Sequence, residues 1–185
     1  MSKIPDYAKC IFKGEVFDTY QWQQELYDGS FKTFEMLRRK HSINVIALQG
    51  KDIVYIEEEQ PNKAPFRGLI SGGAESYEED PLETAKRELL EETGMISDEW
   101  GLLYSDNSTP RLDWTVYTYV AKNCQKVIDQ NLDSGERIKV CKATVDNFCD
   151  ELLTNKSFRA FSLKKDIMTD INKDKMLEFK RMLRL

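Results

Sequence analysis

The sequence predicts an α/β domain that opens on a small antiparallel sheet. Runs of β-branched and aromatic residues, divided by turn signals, fill residues 10–56 and return between residues 102 and 140. A capped helical pattern stands between them near residues 81–93, and the chain closes in helical periodicity. At 185 residues, 41% hydrophobic and 32% charged, the chain has the size of one domain, and its composition is neither disordered nor fibrous.

Strands are expected at Ile11-Phe12, Val16-Phe17, Tyr20-Gln21-Trp22 and Phe31-Lys32-Thr33-Phe34, with Asp28-Gly29-Ser30 as a turn. Asn44–Leu48 and Asp52–Ile56 flank Gln49-Gly50-Lys51 and read as a hairpin with glycine at its tip. A loop carrying Pro61, Pro65 and Gly68 follows. Asp80-Pro81-Leu82-Glu83 then starts a helix: Asp80 can cap, Pro81 suits the first helical position, and Glu83 can reach back to the cap. Leu82, Ala85 and Leu89 form its buried stripe, and Gly94 stops it. Further strands are expected at Leu102–Tyr104, Thr115–Val120 and, after Asp133-Ser134-Gly135, at Arg137–Val140. Helices are expected near 145–153 and 172–184, the last with Met176, Phe179, Met182 and Leu183 on its apolar face.

The charge of -5 gives no bulk attraction for nucleic acid or an anionic membrane, so a phosphate partner would need local basic residues or a bound metal. A single histidine, His41, leaves little material for a histidine-based nucleophile system or a zinc cage. Cys10, Cys124, Cys141 and Cys149 form no C-x-x-C pair and read as free buried thiols in a reducing compartment. The first residues lack the apolar core of a signal peptide and no run approaches a membrane span, so the expected location is cytoplasmic.

Residues 75–92 hold eight acids and two bases, a local charge of -6. On the predicted helix Glu88, Glu91 and Glu92 stand at i, i+3 and i+4, which places three carboxylates on one face. Many such helices are simply solvated acidic surfaces, yet packed carboxylates repel unless a cation sits among them. Mg²⁺ takes oxygen ligands and bridges carboxylates to phosphates. Arg87 lies four residues before Glu91 and can hold it, while Gly72-Gly73 allow close backbone approach to the same metal or phosphate.

The run Gly73, Glu79, Arg87, Glu88, Leu89, Glu91, Glu92, Gly94, Met95 fits the spacing G-x5-E-x7-R-E-U-x-E-E-x-G-U, where U is aliphatic. Its fixed identities would arise by chance on the order of once in a million chains. This pattern resembles the signature of the Nudix hydrolases. The resemblance implies a mixed sheet between helices and Mg²⁺-dependent cleavage of a nucleoside diphosphate derivative, with Mn²⁺ as a second choice of cation. Glu88, Glu91 and Glu92 match the family's metal ligands, with the Gly72 carbonyl beside them.

Pro110, fifteen residues beyond Met95, and the segment Leu132–Val140 are similar to markers of the ADP-ribose pyrophosphatase subfamily. That likeness implies Glu136 as general base or additional metal-site carboxylate, working with Glu91 and Arg87. It further implies a homodimer built by the strands of residues 1–40, with residues 41–185 as the catalytic core of a single domain. Trp22 is then the leading candidate to hold the adenine, with Tyr20, Tyr27 and Phe34 behind it, and Arg38, Arg39 and Arg67 are candidates to clamp a phosphate. The chain departs from the pattern at Ser71 and Glu78, and Glu57-Glu58-Glu59-Gln60-Pro61 stands where many ADP-ribose enzymes carry arginines. Implied alternatives are a Nudix hydrolase for another NDP-sugar, a dinucleoside polyphosphate or a nucleotide, or a nucleotide-binding module without turnover.

Overall fold

The structure is a computed structural model. It describes residues 2–160 together with Leu163, Phe179, Arg181 and Leu183. The chain begins with β1 (Lys9–Lys13), β2 (Asp18–Glu25) and β3 (Phe31–Arg38), followed by β4 (Ser42–Gln49), β5 (Asp52–Glu59), β6 (Phe66–Gly68) and β7 (Ile70–Gly73). Helix α1 (Pro81–Thr93) precedes β8 (Met95–Ile96), β9 (Glu99–Asp106), β10 (Leu112–Asp113), β11 (Val116–Lys122), β12 (Gln125–Lys126) and β13 (Arg137–Thr144), and α2 (Val145–Thr154) follows.

Two sheets dominate. The first, in order β1-β2-β3-β10, is antiparallel except at its edge, where β10 joins β3 in parallel. The larger has the order β13-β5-β4-β11-β9, with β6 beside β5 and β7 beside β4. Its β4–β11 pair is parallel and its other pairs antiparallel, so the sheet is mixed.

Period-two alternation sends side chains of this sheet into two core layers. Ile46, Leu48, Ile53 and Tyr55 pack with Val145, Phe148, Cys149 and Leu152 of α2. Val45, Ala47, Val54 and Ile56 pack on the other face with Ala85 and Leu89 of α1. The sheet therefore lies between helices, and its α1 face holds the acidic residues. Phe179 and Leu183 are helical and buried in the α2-side layer; Met176, Met182 and most of the predicted 172–184 helix lie outside the described residues. Among the described residues no helix is long and apolar enough to cross a membrane.

Helix α1 matches its predicted bounds. The Leu82 N–H donates to Asp80 at 2.7 Å, and Gly94, at φ 71°, closes the last turn by donating to the Leu90 carbonyl at 2.7 Å. Three local expectations need correction. Glu83 does not complete a capping box but pairs with Lys86 at 2.7 Å. Val16-Phe17 is not strand: the Gly14 N–H donates to the Phe17 carbonyl at 3.2 Å and the chain reverses there. The segment before α1 is not simply a loop, because β6 and β7 lie within it and Gly72 and Gly73 pair with Ile43 and Ser42 of β4. All four cysteines are free, but only Cys124 and Cys149 are buried; Cys10 is exposed and Cys141 half-buried.

Candidate active site

The site forms where β7 runs past α1. The β7–β4 ladder holds Gly72 against the helix, and a Cβ added to Gly72 would stand 1.9 Å from the Glu88 carboxyl carbon. Any larger residue there would have to displace the Glu88 carboxylate. One turn further, Glu92 is 4% exposed and accepts a hydrogen bond from the Ser71 N–H at 3.3 Å. Glu91 lies nearer the surface. Glu136, just before β13, closes the far side, and Asn131, Leu132 and Asp133 complete a pocket of about 290 Å³.

Arg87 is the clamp. Its Nη1 donates to Glu88 and Glu91, each at 2.9 Å, its Nη2 donates to the Gly73 carbonyl at 2.9 Å, and its Nε lies 3.5 Å from Glu79. The predicted Arg87–Glu91 pair is thus one contact of four. Burial opposes the charge on Arg87, but Glu88 and Glu91 hold its pKa above the ordinary arginine value. Glu79 is fixed in turn by the Glu75 N–H at 2.6 Å.

One cation does not neutralise this pocket. Burial pushes the Glu88 carboxyl up to about 7 against the pull of Arg87, with Glu91 and Glu136 adding to the rise. Burial lifts Glu92 further, to about 9, and Glu88, Glu58 and Glu136 repel its charge. Glu136 is raised as well, by burial and then by Glu58. Carboxylates that resist ionisation for want of positive charge, beside a glycine whose backbone reaches them, suit a hard divalent cation. Among the described residues no three acidic, histidine or cysteine side chains close into a ready cage. A cation here would therefore need water or substrate oxygens to complete its ligands.

A second cleft of about 1130 Å³ adjoins this pocket and shares Ser71, Gly72, Gly73, Glu92 and Glu136 with it. Arg39 and Trp114 line its wall, with Glu58, Phe66, Lys156 and Arg159 elsewhere around it. Of these, only Arg39 stands among the substrate contacts expected from sequence. Arg67 does not line the cleft: its guanidinium is paired with Glu57 at 3.0 Å and Glu151 at 2.9 Å, which raise its pKa. Arg38 faces Tyr77 and Asp113. Trp22 lies in the first sheet, 9% exposed, with its ring 6.0 Å from Phe34 and its Nε1–H on Gln24. Pro110 is exposed in the loop before β10 and lines neither cleft.

Glu58 was legible in principle. It shares strand parity with Val54 and Ile56, which face α1, so alternation places it on the site's side of the sheet. Trp114 has no such signal, because it stands between two strands rather than within one.

Comparison with known proteins bears on the family and the fold. The family model described as NUDIX domain matches residues 38–162. The chain is 31% identical over 139 residues to a methanol dehydrogenase activator of Bacillus methanolicus, covering 74% of this chain and 75% of that protein. It is 28% identical over 141 residues to an ADP-ribose pyrophosphatase of Bacillus subtilis (strain 168), covering 74% and 76%. A crystal structure of an ADP compounds hydrolase superposes with a TM-score of 0.69 over 85% of each chain at 17% identity.

Proposed function

The chain belongs to the Nudix hydrolase family, and on that premise we propose that it cleaves the pyrophosphate of a nucleoside diphosphate derivative with Mg²⁺, converting ADP-ribose to AMP and ribose 5-phosphate. The observation that carries this reading is the convergence of Glu88, Glu92 and the glycine backbone at Gly72 on a pocket open to a nucleotide-sized cleft. Glu88, Glu91, Glu92 and the Gly72 carbonyl would hold the metal. Bound there, Mg²⁺ neutralises pyrophosphate charge and lowers the pKa of a coordinated water.

The chain's own groups do the rest. Glu136, across the pocket from α1 and with a raised pKa, accepts the proton of the attacking water. Arg87 ties Glu88, Glu91 and the Gly73 carbonyl together, which holds the carboxylates in place for a cation. Arg39, on the wall of the adjoining cleft, donates to a phosphate oxygen. No covalent enzyme intermediate is required.

We place the chain as a homodimer formed through the first sheet, where Phe12, Phe31, Phe34 and Leu37 are exposed beside Tyr27 at the hairpin tip. Residues 1–185 then form one domain, with the first strands serving assembly.

A substrate panel tests the activity. With Mg²⁺ the expected result is release of AMP from ADP-ribose at a higher kcat/KM than from other NDP-sugars, dinucleoside polyphosphates or nucleoside triphosphates. No AMP above a Glu92→Gln control would refute the ADP-ribose assignment. Turnover of none of the panel would favour a binding module instead.

A further inference from the structure

We propose that Trp114, braced by Arg39, is the platform on which the substrate's nucleobase stacks, in the same chain that supplies the carboxylates; this rests on reading the site as a nucleotide pyrophosphatase. Trp114 stands between β10 and β11 on the cleft wall. Its indole Nε1–H donates to Ser42 Oγ at 3.2 Å, which fixes the ring. The Arg39 guanidinium lies 4.8 Å from the Trp114 ring centroid and 5.5 Å from that of Phe17, and its Nη2 reaches the same Ser42 Oγ at 3.4 Å.

Arg39 differs from its neighbours in what neutralises it. Arg38, Arg67 and Arg87 each pair with a carboxylate, whereas among the described residues none pairs with Arg39, whose half-buried charge is met by ring faces. A guanidinium stacked on an indole keeps its in-plane N–H groups free for a phosphate. Arg39 covers one face of the indole, so a base would stack on the other, with the cation close by for its adjoining phosphate.

The register places this pair in the same cleft as Glu92 and Glu136. Ser42 of β4 pairs with Gly73 on one side and with Val116, two residues after Trp114, on the other. Two strand spacings, about 10 Å, separate Val116 from Gly73. The indole, hydrogen-bonded to Ser42, thus stands beside the strand that pairs with Gly72 and Gly73.

The other two tryptophans are otherwise engaged. Trp22 is buried in the first sheet, and the Trp100 Nε1–H donates to the Ser97 carbonyl at 2.8 Å, with its ring edge on Tyr119. Neither lines the cleft. The three rings can therefore be separated by substitution.

The test compares AMP with ribose 5-phosphate, which share the phosphorylated sugar and differ by the base, in binding titrations that need no turnover. Wild type is expected to bind AMP on the order of 10-fold more tightly than ribose 5-phosphate. Trp114→Ala should remove that preference, and Trp114→Phe should keep most of it while abolishing the AMP-dependent change in tryptophan emission. Trp22→Phe and Trp100→Phe should retain both. Equal affinity of wild type for the two ligands, or an emission change lost in Trp22→Phe and kept in Trp114→Phe, would overturn the assignment. AMP binding that depends on Trp114 in a protein that leaves ADP-ribose intact would uphold the platform and remove only the substrate assignment.

Discussion

Replacing Glu92 by Gln is expected to lower kcat/KM for ADP-ribose on the order of 10²–10⁴-fold while making the metal-free protein more stable. The activity loss follows from removing a buried carboxylate that lines the pocket one helical turn beyond Glu88. The stability gain follows from the cost of keeping that carboxylate there. Its folded pKa of about 9 stands above the ordinary 4.5 because burial penalises the charge. The folded state therefore holds a proton that the unfolded state releases, so the protonated form contributes stability that is complete below about 4.5 and is lost as pH rises through about 9.

Glutamine has no charge to bury, so the gap in Tm between variant and wild type should widen steadily from pH 5 to pH 9. For each 1 kcal/mol the gap should be about 2–4 °C at this chain length. Mg²⁺ should narrow it by stabilising wild type more than the variant, which lacks one ligand. A variant less stable than wild type at pH 9 without metal would show that Glu92 serves packing rather than a cation.

Gly72→Ala is the second large effect, and its cause is steric. A methyl group at Gly72 would meet the Glu88 carboxylate at 1.9 Å, whereas one at Gly73 meets nothing within 4 Å. Neither glycine has a positive φ, so strain in the backbone does not enter the comparison. Gly72→Ala must displace Glu88 or push β7 off the helix, and kcat should fall at least about 100-fold, the scale expected when a reacting geometry moves by about 1 Å. Gly73→Ala should cost at least about ten times less. Equal losses in the two variants, measured as kcat with saturating Mg²⁺, would refute the idea that Gly72 and Glu88 share one narrow space.

How much of this the sequence disclosed depends on the kind of signal. Helix α1 was legible because its cap, first-position proline, stripe and terminal glycine each act locally. The spacing of Glu88, Glu91 and Glu92 then follows from helical geometry alone. Strands β4, β5 and β11 were legible because each buries a run of β-branched and aromatic residues. Strand β7 was not, since Ile-Ser-Gly-Gly has little strand propensity and is ordered by pairing with β4.

The wall of the larger cleft was the hardest part. Residue type suggested Trp22 and Arg67, but neither lines this cleft: Trp22 lies against Phe34 in the first sheet, and Arg67 pairs with Glu57 and Glu151. Those contacts arise from residues distant in sequence, Glu151 above all. Trp114 reaches the cleft only because β10 pairs with β3 and β11 with β4, a long-range arrangement that no local pattern encodes.

The central claim is that the buried carboxylates of α1 exchange protons for a divalent cation. Titrating Mg²⁺ calorimetrically into the metal-free protein, in buffers of different ionisation enthalpy, measures that exchange directly. With Glu88 raised to about 7 and Glu92 to about 9, binding at pH 7 should release about one proton or more per Mg²⁺, falling toward none at about pH 10. A binding heat at pH 7 that does not depend on the buffer, or equal Mg²⁺ affinity in a Glu88→Gln, Glu92→Gln double variant, would contradict the account.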